Sequence, residues 1–229
     1  MELTGSIAVI TGTSRGIGKA TAELMLEKGI RVMGWGRTSP PIEHGNFHFI
    51  QADIRDEEEV KAAADKTEEM LGIPDLLVNN AGLGVNAPIE EMDPQEWHQM
   101  FDTNVHGLFY CIRRLVPGMK KKGEGHIVNV ASLAGKNGIG EMAGYCGTKH
   151  AVVGISESLF KELRQSGIKV TCILPGSTRT GFFDNIEGNE AHDHMMRPED
   201  VAGSIMDAID SHPNYLLNEL EVRPLQPKG

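Results

Sequence analysis

The sequence predicts an α/β fold, a parallel sheet of about seven strands with helices on both faces. Short β-branched or apolar runs alternate with longer stretches of helical period from one end of the chain to the other. Right-handed crossovers turn that order into a parallel sheet covered on both sides. Glycine is in excess, 27 of 229 residues against ~7% in average proteins. It falls repeatedly just after β-like runs and has no collagen period. No linker, charge block, repeat or low-complexity stretch interrupts the pattern, so residues 1–229 read as one domain.

The elements follow in order. Residues 7–11 (IAVIT) form a β-branched run that ends at glycine, as a buried strand does. Residues 16–28 place Ile17, Ala20 and Leu24 at helical spacing, and Gly29 stops them. Residues 31–35 and 47–51 (FHFIQ) are the second and third strand candidates. Residues 56–71 are rich in the helix formers alanine, glutamate and lysine. Residues 75–79 (DLLVN) give a fourth strand. Asp93-Pro94-Gln95-Glu96 then reads as a helix start, with an aspartate cap, proline at the first position and glutamate at the third. That helix is expected to run toward Met119, with a break near Pro117. Residues 126–131 (HIVNVA) are a fifth strand, 144–166 a helix with Val152, Ile155, Leu159 and Leu163 on one face, and 168–174 (IKVTCIL) a sixth strand. Residues 198–211 form a last helix and 215–222 a last strand. The least regular stretch, 177–197, follows the carboxyl end of a strand, where open α/β sheets bind ligands, and is read as the substrate loop.

Charge and cysteine content exclude several classes. The formal net charge is −10, which argues against a nucleic-acid binder and against docking on anionic membranes. A single local phosphate remains compatible with it. Cys111, Cys146 and Cys172 are scattered, without a C-x-x-C pair, and read as free thiols of a reducing compartment. The start, MELTGSIAVITG, lacks the features of a signal peptide, and no apolar run is long enough to span a membrane. The expected location is cytoplasmic.

Thr11-Gly12-Thr13-Ser14-Arg15-Gly16-Ile17-Gly18 joins the first strand to the first helix. A helix N-terminus offers unpaired amides and a partial positive charge, and glycines let a pyrophosphate approach that backbone. The spacing is G-x-x-x-G-x-G, unlike the commoner G-x-G-x-x-G. This TGxxxGIG turn resembles that of the short-chain dehydrogenase/reductase family, in its single-domain branch. Further motifs carry the resemblance across essentially the whole chain. Asn79-Asn80-Ala81-Gly82 matches the family's NNAG, and Asn104, Ser132, Tyr145 and Lys149 match its tetrad. Pro175-Gly176-Ser177-Thr178-Arg179-Thr180 matches its PG-x-x-x-T. The resemblance implies a Rossmann-like doubly wound sheet in the order 3-2-1-4-5-6-7. It also implies hydride exchange between a nicotinamide cofactor and a carbonyl or alcohol, in a homodimer or homotetramer.

Tyr145 and Lys149 stand i and i+4 on one helix and project from the same face. A neighbouring ammonium favours phenolate, so the pair is expected to lower the tyrosine pKa from ~10 toward working pH. Tyrosine can then exchange a proton with the substrate oxygen. Ser132, 13 positions before Tyr145, is read as holding that oxygen. The resemblance implies that Asn104 holds a water linking Lys149 to solvent, and that Lys149 also contacts the nicotinamide ribose. It assigns Gly12, Ser14, Arg15, Gly16, Ile17 and Gly18 to the dinucleotide turn and Asp53 and Ile54 to the adenine. It further gives Asn80, Ala81 and Gly82 to the cofactor groove. Pro175, Gly176, Thr178 and Thr180 fall at the carboxamide end, by the backbone of Thr178 and the hydroxyl of Thr180.

Enzymes selecting NAD commonly place a carboxylate at the end of the second strand. Gly36 occupies that position here, Arg37 follows it, and Arg15 sits in the glycine turn. Two arginines can clamp a 2′-phosphate, and the arrangement resembles the NADP-preferring members, so NADP(H) is expected over NAD(H). No metal is expected: His192 and His194 in AHDH lack ligand spacing, and no cysteine is near. Cys146 reads as a redox thiol or as a small packed side chain. Phe182, Phe183, Met195 and Met196 read as a substrate lid or as loop anchors, and residues 142–144 as a pocket wall. Two rival readings are a 3-oxoacyl-carrier-protein reductase of the same family and a non-catalytic NADP-binding sensor. The tail, Leu220-Glu221-Val222-Arg223-Pro224-Leu225, lacks the Asp-Gly-Gly seen in those reductases. It looks closer to members acting on hydroxy acids, small aldehydes or other small carbonyls.

Overall fold

The structure, a computed structural model, describes residues 2–181 and 192–226. Seven parallel strands form one sheet: β1 (Ile7–Thr11), β2 (Arg31–Gly36), β3 (Phe47–Gln51), β4 (Leu76–Asn79), β5 (Gly125–Val130), β6 (Ile168–Pro175) and β7 (Glu219–Val222). Their order is β3-β2-β1-β4-β5-β6-β7, the expected Rossmann-like arrangement. It changes direction between β1 and β4, which pair through Ala8↔Leu76, Val9↔Leu77 and Ile10↔Val78. Crossover loops diverge at such a point and leave a crevice at the carboxyl edge.

The strands are apolar on both faces because both are covered. On one face α1 (Gly16–Glu27) and α6 (Pro198–Ile209) bury Met25, Leu26, Val201 and Ile205 against Ala8, Ile10, Val32, Val78 and Ile173. On the other lie α2 (Glu57–Leu71), α4 (Leu108–Lys122) and α5 (Ala143–Leu163). They bring Val60, Ala64, Leu115 and Val152 against Val9, Trp35, Leu77 and Ile127. The buried Trp35 indole donates to Thr67 Oγ1 at 3.1 Å, so its polar edge is satisfied.

Caps begin the helices where the sequence places them. The Asp56 carboxylate accepts from the amides of Glu58 (2.8 Å) and Glu59 (3.2 Å), so Asp56 is the cap of α2 and not its first residue. Asp93 accepts from the Gln95 amide at 2.8 Å, and Pro94 opens α3 (Pro94–Phe101).

The next helical stretch corrects the expectation. It is not broken at Pro117, which lies inside α4. Pro117 and Arg113, whose carbonyl it leaves without an amide, both sit on the exposed side, where water replaces the lost donor. The irregularity comes earlier, as a π-helical turn over Asp102–Gly107 between α3 and α4. The last strand is also shorter than expected. Residues 215–218 approach β6 through single bonds, such as Thr171 Oγ1 to the Leu217 carbonyl at 2.7 Å, before β7 begins at Glu219.

Candidate active site

A cleft of about 1070 Å³ opens at the carboxyl ends of the strands. Lining it are Gly12, Ser14, Arg15, Gly16, Ile17, Arg37, Asp53, Ile54, Asn80, Ala81, Gly82, Ser132, Tyr145, Lys149, Pro175, Gly176, Thr178 and Thr180. Two of the residues nominated from sequence stand behind its wall instead, Gly18 and Asn104.

The glycine turn is built by close approach. Gly12 (φ +74°) and Gly16 (φ +60°) adopt left-handed backbone. A Cβ on Gly12 would lie 3.0 Å from Ala81 Cα, and one on Gly16 3.0 Å from Thr180 Cβ. At Gly18 a Cβ would collide with the Gly12 carbonyl and Asn80 Nδ2, so Gly18 permits the turn without touching what the cleft holds. Asn80 and Ala81 lock onto the turn: Asn80 Nδ2 donates to the carbonyls of Thr11 (2.9 Å) and Gly12 (3.0 Å). The amides of Asn80 and Ala81 donate to Thr11 Oγ1 at 3.1 and 3.0 Å. Among the described residues no side chain caps the N-terminus of α1. Its first amides therefore remain as donors beside the cleft, a donor set that fits a pyrophosphate.

The far end of the cleft is basic. Arg15 and Arg37 are both exposed and both line it. The Asp53 carboxyl is held below its ordinary pKa chiefly by hydrogen bonds from Arg55, with Arg37 adding charge attraction. Arg55 Nε lies 3.0 Å from both Asp53 oxygens, and its Nη2 lies 2.5 Å from Oδ2. Asp53 is thus paired chiefly with Arg55, and Arg37 is the weaker of its two partners. Sequence reading missed Arg55, whose only signal was its place two residues after Asp53.

At the opposite end, Ser132, Tyr145 and Lys149 converge. The Ser132 hydroxyl hydrogen-bonds to the Tyr145 phenol and accepts from the Ala134 amide at 3.1 Å. Lys149, 4% exposed, donates to the Val130 carbonyl at 2.9 Å. Its ammonium lies 5.8 Å from the Tyr145 ring centre. The expected lowering of the tyrosine pKa is reversed: burial pushes Tyr145 up to about 12, opposed by the bond from Ser132. Burial also pulls Lys149 down to about 8. The ammonium is anchored on the end of β5 and not on the phenol, so desolvation governs both groups.

Asn104 is buried in the π-helical turn. Its Oδ1 accepts from the Leu83 amide at 2.9 Å, and its Nδ2 donates to the Leu83 carbonyl (2.8 Å) and to Thr148 Oγ1 (2.9 Å). Both side-chain protons are therefore taken by the protein, and any water held by this residue must bind as a donor to one of its carbonyl oxygens.

Leu83, Asn86, Ile139, Met142 and Met195 complete the wall beside Tyr145. Of residues 142–144 only Met142 lines the cleft; Ala143 and Gly144 open α5, and Gly144 faces Met100 and Trp97 instead. Met196 is an anchor: it packs in the core with Val201 and Ile205, and its amide donates to the Ser177 carbonyl at 3.0 Å. Phe182 and Phe183 lie outside the described residues. Asp193 pairs with Arg179 at 3.0 Å. Cys146 is packed among Met100, Ala134 and Met142. His150 donates Nδ1–H to the Cys146 carbonyl at 2.8 Å, away from the site.

Comparison with known proteins agrees with this geometry. The family model described as short chain dehydrogenase matches residues 6–191. An uncharacterised oxidoreductase of Staphylococcus haemolyticus is 35% identical over 98% of this chain and 99% of its own. One of Staphylococcus aureus is 31% identical over 97% and 99%. Among solved structures, a serine dehydrogenase in complex with NADP+ superposes with a TM-score of 0.92 at 27% identity, covering 97% of this chain and 96% of the other. An alcohol dehydrogenase from Thermococcus sibiricus shares the fold, with a TM-score of 0.87 at 24% identity over 98% and 99%. By sequence and sheet order alike, the chain belongs to the short-chain dehydrogenase family and is an oxidoreductase.

Proposed function

We propose that the protein is an NADP(H)-dependent oxidoreductase that interconverts a small carbonyl compound and its alcohol, with Tyr145 as the general acid/base. The observation that carries this reading is the convergence of Ser132, Tyr145 and Lys149 at one end of the cleft whose other end holds the uncapped helix and Arg15 and Arg37. Bound nicotinamide supplies or accepts the hydride. Glycines 12 and 16, with the first amides of α1, hold the pyrophosphate; Arg15 and Arg37 hold the 2′-phosphate; Asp53, Ile54 and Arg55 flank the adenine. Thr178 and Thr180 stand at the carboxamide end.

Ser132 orients the substrate oxygen toward the phenol. A tyrosine pushed up to about 12 carries its proton at neutral pH, which suits it to protonate the oxygen of a carbonyl under reduction. Lys149 holds positive charge beside the phenolate left behind, and a water on an Asn104 carbonyl oxygen returns the proton. The apolar wall of Leu83, Ile139 and Met142, relieved by the amide of Asn86, favours a compact substrate. The neighbour described as a serine dehydrogenase puts small hydroxy acids among the first compounds to try. Homo-oligomerisation belongs to the same reading, supported by the half-exposed Phe109 on the outer side of α4; light scattering measures it.

The decisive test is an NADPH-absorbance screen of aldehydes, ketones, hydroxy acids and alcohols with the wild-type chain and with Tyr145→Phe. Turnover that survives the substitution rejects the mechanism. Tight NADPH binding with no turnover on any compound favours the sensor reading.

A further inference from the structure

We propose that Thr148 is a positioning residue of this site, its hydroxyl tying the acid/base helix to the Asn104 amide, whose direction the Leu83 backbone sets; this rests on the reading of Tyr145 as acid/base. Thr148 is 0% exposed, lies between Tyr145 and Lys149 on α5, and does not line the cleft. Its Oγ1 donates to the Tyr145 carbonyl at 2.8 Å. A hydroxyl has one proton, so toward any other partner this oxygen only accepts. The partner is Asn104 Nδ2, 2.9 Å away.

Leu83 fixes the direction of the amide: its N–H donates to Oδ1 and its carbonyl accepts from Nδ2, which also donates to Thr148 Oγ1. The reversed amide would set Oδ1 against the Leu83 carbonyl and Nδ2 against the Leu83 N–H, two repulsive contacts in a buried site. A polar thread therefore runs from the first turns of α5, which carry Tyr145 and Lys149, through the π-helical turn to Leu83 on the opposite wall. Gly82 lies directly over it: a Cβ there would be 3.1 Å from Asn104 Oδ1 and 3.7 Å from Lys149 Nζ. Thr148 thus links the acid/base helix, through Asn104, to the wall facing it. A residue needed only for volume at this position could equally be valine, which lacks the hydroxyl that the thread uses.

The test compares Thr148→Val, Thr148→Ser and Thr148→Ala in the full chain. Amide hydrogen exchange at Leu83 and at Ile127 in the core is read by NMR, with NADPH affinity and NADPH-linked turnover on the best carbonyl from the screen. Thr148→Val is expected to speed exchange at Leu83 at least tenfold and to lower kcat about tenfold. Ile127 stays protected and NADPH affinity stays within twofold. Thr148→Ser is expected to restore both readouts. Unchanged Leu83 exchange in Thr148→Val overturns the proposal, as does equal loss of protection at Leu83 and Ile127, which marks a merely structural role. If the valine variant does not fold, Thr148→Ala is held to the same criteria. Should Tyr145→Phe keep full turnover, the acid/base reading fails while exchange at Leu83 still decides the thread. Should Tyr145→Phe be inactive and Thr148→Val match wild type, the thread alone fails.

Discussion

Lys149 Nζ donates to the carbonyl of Val130 at 2.9 Å, so the ammonium hangs from the end of the central sheet and faces the phenol edge of the cleft. Burial brings its pKa down to about 8, which leaves it mostly charged at pH 7 and mostly neutral by pH 9. Reductive kcat/KM is expected to be level from pH 6 to 7.5 and to fall above about pH 8. Tyr145 does not produce this limb, since its phenol stays protonated to about 12. Lys149→Arg, charged throughout, is expected to abolish the limb in a pH–rate profile, whatever its absolute rate. A limb that persists in the variant assigns it elsewhere.

Removing the phenol hydroxyl takes away the proton donor and its bond to Ser132. Tyr145→Phe is expected to lower turnover by ~10²–10⁴, the usual contribution of a positioned acid or base. Its NADPH dissociation constant, followed by fluorescence titration, is expected to stay within about twofold.

Cofactor choice is expected to sit at Gly36 and Arg37. A Cβ on Gly36 would meet nothing nearer than 3.9 Å, so a side chain fits there without rebuilding the turn. Gly36→Asp is expected to weaken NADPH binding about tenfold or more while sparing NADH. Arg37→Ala is expected to weaken NADPH alone by about tenfold, as loss of a charge-assisted contact does. Equal effects of either substitution on both cofactors would remove the 2′-phosphate clamp from the account.

Gly18 is a packing requirement of the turn. Gly18→Ala drives a methyl into the Gly12 carbonyl and Asn80 Nδ2, and backbone there cannot retreat without opening the turn. The expected cost is about 2–3 kcal/mol in chemical denaturation, together with loss of dinucleotide affinity. A variant as stable as wild type that still binds NADPH would contradict this.

Acid stability is expected to report on His126. Thr171 Oγ1 gives its proton to the Leu217 carbonyl at 2.7 Å, so it accepts from His126 Nε2 at 2.8 Å. His126 therefore carries its proton on Nε2, and the buried Nδ1 has no partner among the described residues. Burial, aided by the charge of Lys169, lowers its pKa to about 3. The unfolded chain, titrating near 6.5, binds more protons than the folded one between pH 6.5 and 3. Stability is thus complete above 6.5 and falls with acidification, by about 2 kcal/mol at pH 5 from this residue. His126→Gln is expected to flatten that part of the pH–stability curve.

How far the sequence could be read depended on what each feature needs. The strands and the glycine turn were legible because they rest on local chemistry, and the strand order because the family resemblance implies it. β-branched runs make strands, Asp93 caps a helix, and glycines cluster where a strand turns into a helix. The break assigned to Pro117 was misplaced because a proline is tolerated wherever water can take the orphaned carbonyl, and exposure is not written in the residue. The ionisation of Tyr145 was misread because proximity at i and i+4 says nothing of burial, or of where the ammonium points.

The sequence by itself therefore determined the alternation of strands and helices, which short local runs carry, and the family, which motifs spaced along the chain carry. Only the tertiary structure decided that Lys149 hangs from Val130, that Arg55 holds Asp53, and that Leu83 orients Asn104 while Thr148 ties it to α5. Those relations run through backbone carbonyls and single proton polarities, and they come into being only when strand ends, a π-helical turn and a helix are packed against one another.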